Sequence, residues 1–100
     1  MNEHNPNKSL ELGDTLFNIN TKEQMEDFLS DLCTPSELKA LKERWKVCQL
    51  LASNDLSYRD INTITGASLT TIGRVARFLR NEPRGGYRNI LKNREKNNVK

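Results

Sequence analysis

The sequence is poor in the residues from which catalytic and metal sites are built. It contains one histidine, His4, and two cysteines, Cys33 and Cys48. His4 stands in a polar segment without a partner for catalysis, and the cysteines lack the spacing of metal ligands. We therefore expect neither an enzyme nor a metal-binding protein. We expect the two thiols to be reduced and half-buried.

Long apolar runs are missing as well. No stretch approaches the length of a membrane span, and no signal-peptide pattern opens the chain. We therefore expect a cytoplasmic protein with no membrane partner. With 29% charged and 35% hydrophobic residues in 100 residues, the chain should form one domain. Helical proteins of this size often enlarge a modest core by dimerising.

The charges that are present are distributed unevenly. Residues 1–43 contain nine acidic and four basic residues, a net charge of −5, whereas residues 44–100 contain four acidic and twelve basic residues, a net charge of +8. A polyanion would therefore bind the second half of the chain.

Caps and apolar periodicity predict an all-α fold of about six helices. Residues 1–7 are predicted to be a disordered arm, residues 8–92 the domain, and residues 93–100 a basic tail that is disordered by default. A first helix is expected over residues 8–18, and a short last one around Tyr87.

Two capping boxes mark the intervening helices. Thr21 with Gln24 starts the second helix, and Thr34 with Glu37 starts a long third helix that runs to about Ser53. The third helix has a wide apolar stripe around Trp45. Such a stripe indicates either a central core helix or a dimer interface.

The segment 57–80 has the sequence pattern of a helix-turn-helix. Ser57 and Asp60 form a capping box, Gly66 ends the first short helix, and Ser68 caps the second. In this motif the second helix enters the DNA major groove.

The second helix of the motif has two distinct sides. At 100° per residue one side collects apolar residues that should pack inward: Leu69, Ile72, Val75, Ala76 and Leu79. Thr70, Arg74 and Arg77 point the opposite way, where they suit phosphate oxygens and guanine acceptors. The alternative is an ordinary amphipathic helix with a solvated basic face.

Two segments together resemble the Trp repressor superfamily, and more closely its TrpR-like YerC/YecD branch. The segment Leu32-Cys-Thr-Pro-Ser-Glu-Leu-Lys-Ala-Leu-Lys-Glu-Arg-Trp45 is similar to the "LLTP-E--AL--R" start of that family's central helix. The segment Thr65-Gly-Ala-Ser-Leu-Thr-Thr-Ile-Gly-Arg74 is similar to its "GA--ATI-R" turn and recognition helix. Both match in one register without gaps, and the resemblance covers roughly residues 10–92.

The resemblance implies an intertwined all-α homodimer that binds double-stranded DNA as a bacterial transcription regulator, most simply a repressor. Its recognition helices would face successive major grooves of a near-palindromic site. The resemblance and the basic face together give the expected DNA-binding residues: Tyr58, Arg59, Ser68, Leu69, Thr70, Thr71, Arg74, Arg77 and Arg80. Gly73 lacks a side chain where the Trp repressor has a threonine, so the operator sequence does not carry over.

The tryptophan site of the family is altered in this chain. The resemblance implies that Arg44 and Arg74 would sandwich the indole and that Thr34 would lie beside it. Val75 and Phe78 replace a small residue and a serine, and overpacking of this kind costs about 1–3 kcal/mol. We therefore expect a vestigial pocket and no cofactor, with Phe78 beside Arg74 in place of the ligand. Alternatively, Phe78 packs on the last helix near Tyr87.

The sequence is also consistent with a function of a different class. The same fold could act as an adaptor that binds protein rather than DNA, because helix-turn-helix units are reused in this way.

Overall fold

The computed structural model describes residues 10–98, and the surroundings of side chains up to residue 94. As predicted, this part of the chain is all-helical and contains no strand. Its six helices are α1 (Leu12–Phe17), α2 (Lys22–Leu32), α3 (Pro35–Ser53), α4 (Tyr58–Thr65), α5 (Leu69–Asn81) and α6 (Gly86–Asn98). None of these helices is long and apolar enough to cross a membrane. The predicted arm, residues 1–7, lies outside the described residues.

The outer helices differ in length from the prediction. α1 begins only at Leu12, so the predicted helix over 8–18 was too long. α6 continues to Asn98 and is therefore longer than the short last helix predicted around Tyr87. The residues that follow Leu91 include lysine, arginine and glutamate, which lose little side-chain freedom in a helix and let it continue beyond its apolar positions.

The chain divides into two compact units, Met1–Leu38 and Lys39–Lys100. In the first unit both predicted N-caps are present, but only that of Thr34 is a complete capping box among the described hydrogen bonds. The Thr21 hydroxyl accepts a hydrogen bond from the Gln24 amide at 3.0 Å. The Thr34 amide donates to the Glu37 carboxylate at 2.8 Å, and the Thr34 hydroxyl accepts from the Glu37 amide at 3.1 Å. This reciprocal pair fixes the start of α3.

The helices of the first unit leave several apolar side chains largely uncovered. Neither α1 nor α2 contains a buried residue. Phe17 is 87% exposed, and Leu12 and Leu32 are each about half exposed. Apolar side chains of this size stabilise a fold when they are buried, by about 1.5–3 kcal/mol each, and here that burial is not realised within one chain.

The second unit has a continuous apolar core. Nine residues from α3, α4, α5 and the turn between the last two are buried: Val47, Cys48, Leu51, Ile61, Ala67, Ile72, Val75, Ala76 and Leu79. Trp45, Leu50 and Leu56 pack against this core, as do Tyr87 and Leu91 of α6. The predicted inward side of α5 is thus confirmed at four of its five positions. Leu69 was wrongly included: it is 58% exposed because it is the first residue of α5 and the core begins one turn later.

The two cysteines are free thiols. Cys33 is half-buried, as predicted, but Cys48 is completely enclosed by the core. Burial disfavours the thiolate and raises the pKa of Cys48 from 9.0 to about 11. Because the thiolate is the reactive form, we expect the buried thiol of Cys48 to react slowly at neutral pH.

Candidate nucleic-acid interface

The helix-turn-helix begins with a complete capping box. The Ser57 hydroxyl accepts from the Asp60 amide at 3.0 Å, and the Asp60 carboxylate accepts from the Ser57 amide at 3.1 Å. Two of the amides that lack a partner at the start of α4 are therefore satisfied locally. The capping box places Tyr58 and Arg59 in the first turn of α4, where Tyr58 is 40% exposed and Arg59 is exposed.

The turn between α4 and α5 is closed by side chains as well as by glycine. Gly66 has φ 79°, in the left-handed region, and its amide donates to the Asn62 carbonyl at 2.8 Å. The Asn62 side-chain amide donates to the Ala67 carbonyl at 2.7 Å. The Thr65 hydroxyl donates to the Ile61 carbonyl at 2.8 Å and accepts from the Ala67 amide at 3.0 Å. The angle between the two helices is therefore set by polar contacts within the motif.

The roles of Asn62 and Thr65 were not predicted. Both are polar and only half-buried next to a buried residue, Ile61. Asparagine and threonine close to a glycine turn often form hydrogen bonds with nearby backbone groups. Their proximity to Gly66 was the signal that could have identified them.

α5 is capped and oriented as predicted. The Ser68 hydroxyl accepts from the Thr71 amide at 3.1 Å, and it also lies 3.1 Å from the Thr71 hydroxyl. The core contacts of Ile72, Val75, Ala76 and Leu79 hold one side of the helix against the rest of the unit. The other side must then face outward.

The outward side of α5 is positively charged and uncompensated. Thr70, Arg74, Arg77 and Arg80 are all exposed. No acidic residue occurs between Ile61 and Asn81. Among the described side chains, none of these arginines forms an ion pair. Three unpaired guanidinium groups on one helix form a surface to which phosphate and base acceptors can bind.

Phe78 lies between two of these arginines. The Arg74 guanidinium carbon is 4.4 Å from the centre of the Phe78 ring, and that of Arg77 is 5.4 Å away. These distances fall within the range of cation–π attraction. The predicted contact of Phe78 with Arg74 is therefore present, and Arg77 joins it.

The other residues of the predicted vestigial pocket are placed differently. The Val75 side chain is completely buried in the core, whereas the Phe78 ring lies against the Arg74 guanidinium. Arg44 is half-buried on α3. Thr34 belongs to the first unit, where its hydroxyl serves the start of α3.

Phe78 also borders a cavity of about 560 Å³ in the second unit. The cavity is lined by Trp45, Phe78, Glu82, Arg84, Gly86, Tyr87 and Ile90. The Trp45 and Tyr87 rings lie 6.2 Å apart in a tilted arrangement. Phe78 and Tyr87 of α6 therefore line the same cavity. Within residues 10–98, no group of histidine, cysteine or acidic side chains could hold a metal ion.

These features define an all-helical protein with a helix-turn-helix whose second helix exposes a basic face. The family model of the Trp repressor protein matches residues 8–95, and the chain therefore belongs to this family, as its motifs predicted. The family is one of regulatory proteins rather than enzymes. The chain is also 36% identical over 69 residues to the uncharacterized protein YerC of Bacillus subtilis (strain 168). That match covers 69% of the chain and 65% of YerC, so it spans somewhat less than two thirds of the relative.

Two glycines of the motif should respond oppositely to alanine. Gly66 has φ 79°, which a side chain disfavours, so Gly66→Ala should destabilise the protein by about 1–2 kcal/mol. At Gly73, inside α5, an added Cβ would meet nothing within 4 Å. Gly73→Ala should therefore stabilise it by about 0.5–1 kcal/mol. Urea unfolding monitored by circular dichroism measures the free energy of unfolding of both variants. Equal effects of the two substitutions would contradict the described turn.

Proposed function

We propose that this protein is a sequence-specific, DNA-binding transcription regulator that acts as a homodimeric repressor. The observation that carries the proposal is the unpaired arginine face of α5, opposite a buried apolar side and next to a fully capped turn. A helix held in this way presents its polar side as a rigid unit. The family membership supports the same function.

The proposed contacts follow from position and chemistry. Thr70 and Arg74 lie outward on α5 and read bases, Arg74 through the paired acceptors of guanine. Leu69, exposed at the first position of α5, suits the methyl group of thymine. The remaining residues bind the sugar–phosphate backbone and fix the register: Tyr58, Arg59, Ser68, Thr71, Arg77 and Arg80.

The homodimer is supported by the uncovered apolar surface of the first unit. Phe17, Leu12 and Leu32 are exposed, and no residue of α1 or α2 is buried within one chain. Leu41 on α3 is also 43% exposed, within the stripe that the sequence marked as a core or a dimer surface. A second copy would bury these side chains and place two recognition helices about 34 Å apart, one helical turn of DNA.

Tryptophan is not the effector in this proposal. The Phe78 ring occupies the space beside the Arg74 guanidinium, 4.4 Å away. An indole could not stack on the same face of Arg74 unless Phe78 moved. The aromatic partner of the arginine is thus supplied by the chain itself, and DNA binding proceeds without tryptophan.

Selection of bound duplexes from a random DNA pool tests the function directly. We expect an enriched near-palindrome with half-sites about one helical turn apart, because a two-fold dimer reads two equivalent half-sites. No enrichment, together with a dimer in solution, would contradict the proposal. That outcome would favour the protein-binding adaptor.

Two arginines of α5 should differ in their effect on specificity. Arg74→Ala should weaken binding to the selected duplex by about 1–3 kcal/mol and relax the preference for one base. Arg80→Ala should weaken binding to all duplexes alike and reduce the slope of log K against log salt by about one. Fluorescence anisotropy at several salt concentrations measures both. Lys46→Ala, an exposed charge on α3, is the control, and the assignment of α5 fails if neither arginine differs from it.

Calorimetry with L-tryptophan tests the role of Phe78. The wild-type protein should give no binding at micromolar concentrations. Phe78→Ser should gain affinity by about one to two decades, which corresponds to the release of about 1–3 kcal/mol of overpacking. Micromolar binding by the wild type would show that Phe78 does not replace the ligand.

A further inference from the structure

The C-terminal end of α5 is held by an arginine from the next helix. Arg88, in the first turn of α6, donates from Nη1 to the Leu79 carbonyl at 3.1 Å and from Nη2 to the Glu82 carbonyl at 2.8 Å. Leu79 is among the last residues of α5, where carbonyls have no partner within the helix, and Glu82 is its C-cap. One guanidinium therefore satisfies two backbone acceptors and places a positive charge at the negative end of the helix.

Glycine at position 85 makes room for this contact. Gly85 is buried and has φ 64°, and a Cβ at this position would lie 2.8 Å from Arg88 Nη2. The Gly85 amide donates to the Glu82 carbonyl at 3.1 Å, and its own carbonyl accepts from the Asn89 amide at 2.9 Å. The backbone of the turn between α5 and α6 therefore lies close against the guanidinium, and the left-handed φ of Gly85 disfavours a side chain at this position.

α6 is itself attached to α3. The Tyr87 ring lies 6.2 Å from the Trp45 ring, and Arg94 donates a hydrogen bond from Nη1 to the Gln49 side chain. Leu91 packs against the core. A residue that joins α5 to α6 therefore also joins the recognition helix to the long central helix.

We propose that Arg88 is a positioning residue for DNA recognition, acting together with Gly85. The arginine holds the last turn of α5, which carries Arg80, at a fixed angle to α6, and it does not itself contact DNA. This inference rests on the proposed DNA-binding function. It distinguishes Arg88 from Arg59 and from the three arginines of α5, which are proposed to bind DNA through their own charges.

The test compares two substitutions of Arg88 with the loss of a positive charge elsewhere on α6. Arg88→Met keeps the aliphatic stem and removes both donors. Arg88→Lys keeps a charge without the planar fork that reaches two carbonyls. Lys92→Met, one turn further along α6 and exposed, removes one charge without a described hydrogen bond. Each variant and the wild type are titrated with the duplex selected from the random pool and with a scrambled duplex, at several salt concentrations.

We expect Arg88→Met and Arg88→Lys to bind the selected duplex roughly two- to thirtyfold more weakly than the wild type, the range for residues that act without touching the ligand. Binding to the scrambled duplex should fall no further than in Lys92→Met, and the salt slope should stay that of the wild type. A reduced salt slope in Arg88→Met would make Arg88 a phosphate contact and overturn the proposal. Wild-type affinity of Arg88→Lys for the selected duplex would overturn the proposal as well.

Amide hydrogen exchange supplies a measurement that does not depend on DNA. The amides around the α5–α6 turn, that of Gly85 above all, should exchange faster in Arg88→Met than in Lys92→Met, while the core amides of α3 stay protected. Unchanged exchange at the turn would overturn the role of Arg88 even if DNA binding fell. If the wild type binds neither duplex, the proposed DNA-binding function fails, and the exchange result alone then reports whether Arg88 holds the turn.

Discussion

The burial of one side of α5 is the contact on which the rest of the second unit depends. Ile72, Val75 and Ala76 are at most 3% exposed, and they pack with residues of α3 and α4. Burial of such side chains contributes about 1.5–3 kcal/mol for each large one. Because residues about 180° apart around a helix lie on opposite sides, this packing also determines which residues face outward. The arginine face is a geometric consequence of the core.

A second consequence concerns charge. The core contains no buried polar or charged residue among the described side chains. The exposed arginines of α5 form no ion pair with a described side chain either. The shifted pKa of Cys48 has burial as its cause and no charged neighbour. The positive potential of the helix therefore acts outward, where a polyanion can bind it, and its strength depends on the salt concentration.

The sequence alone predicted the parts of the structure that are determined locally. Ser57 with Asp60 and Thr34 with Glu37 are capping boxes in the structure, and Gly66 has the left-handed conformation that its position in the turn requires. Helix caps are built from residues three apart, so a short window contains all the information. Contacts between distant residues were not predictable in this way.

Leu69 and Arg88 show why some features of the structure were not predicted from the sequence. Helical periodicity put Leu69 on the inward side, but periodicity does not tell where along the helix the core begins. Arg88 is nine residues from Leu79, and nothing in its neighbourhood marked it as different from Arg84 or Arg94. The predicted last helix was too short for a related reason, because apolar positions indicate burial and a helix can continue beyond them.

Gly73 gives α5 a position that can vary during evolution. It lies within α5, and a side chain there would begin in open space with no neighbour within 4 Å. New side chains at this position would thus be tested by the bound partner alone, since the core would not select against them. A lineage of such proteins could acquire a different target through a single codon, with the helix, its caps and its packing retained.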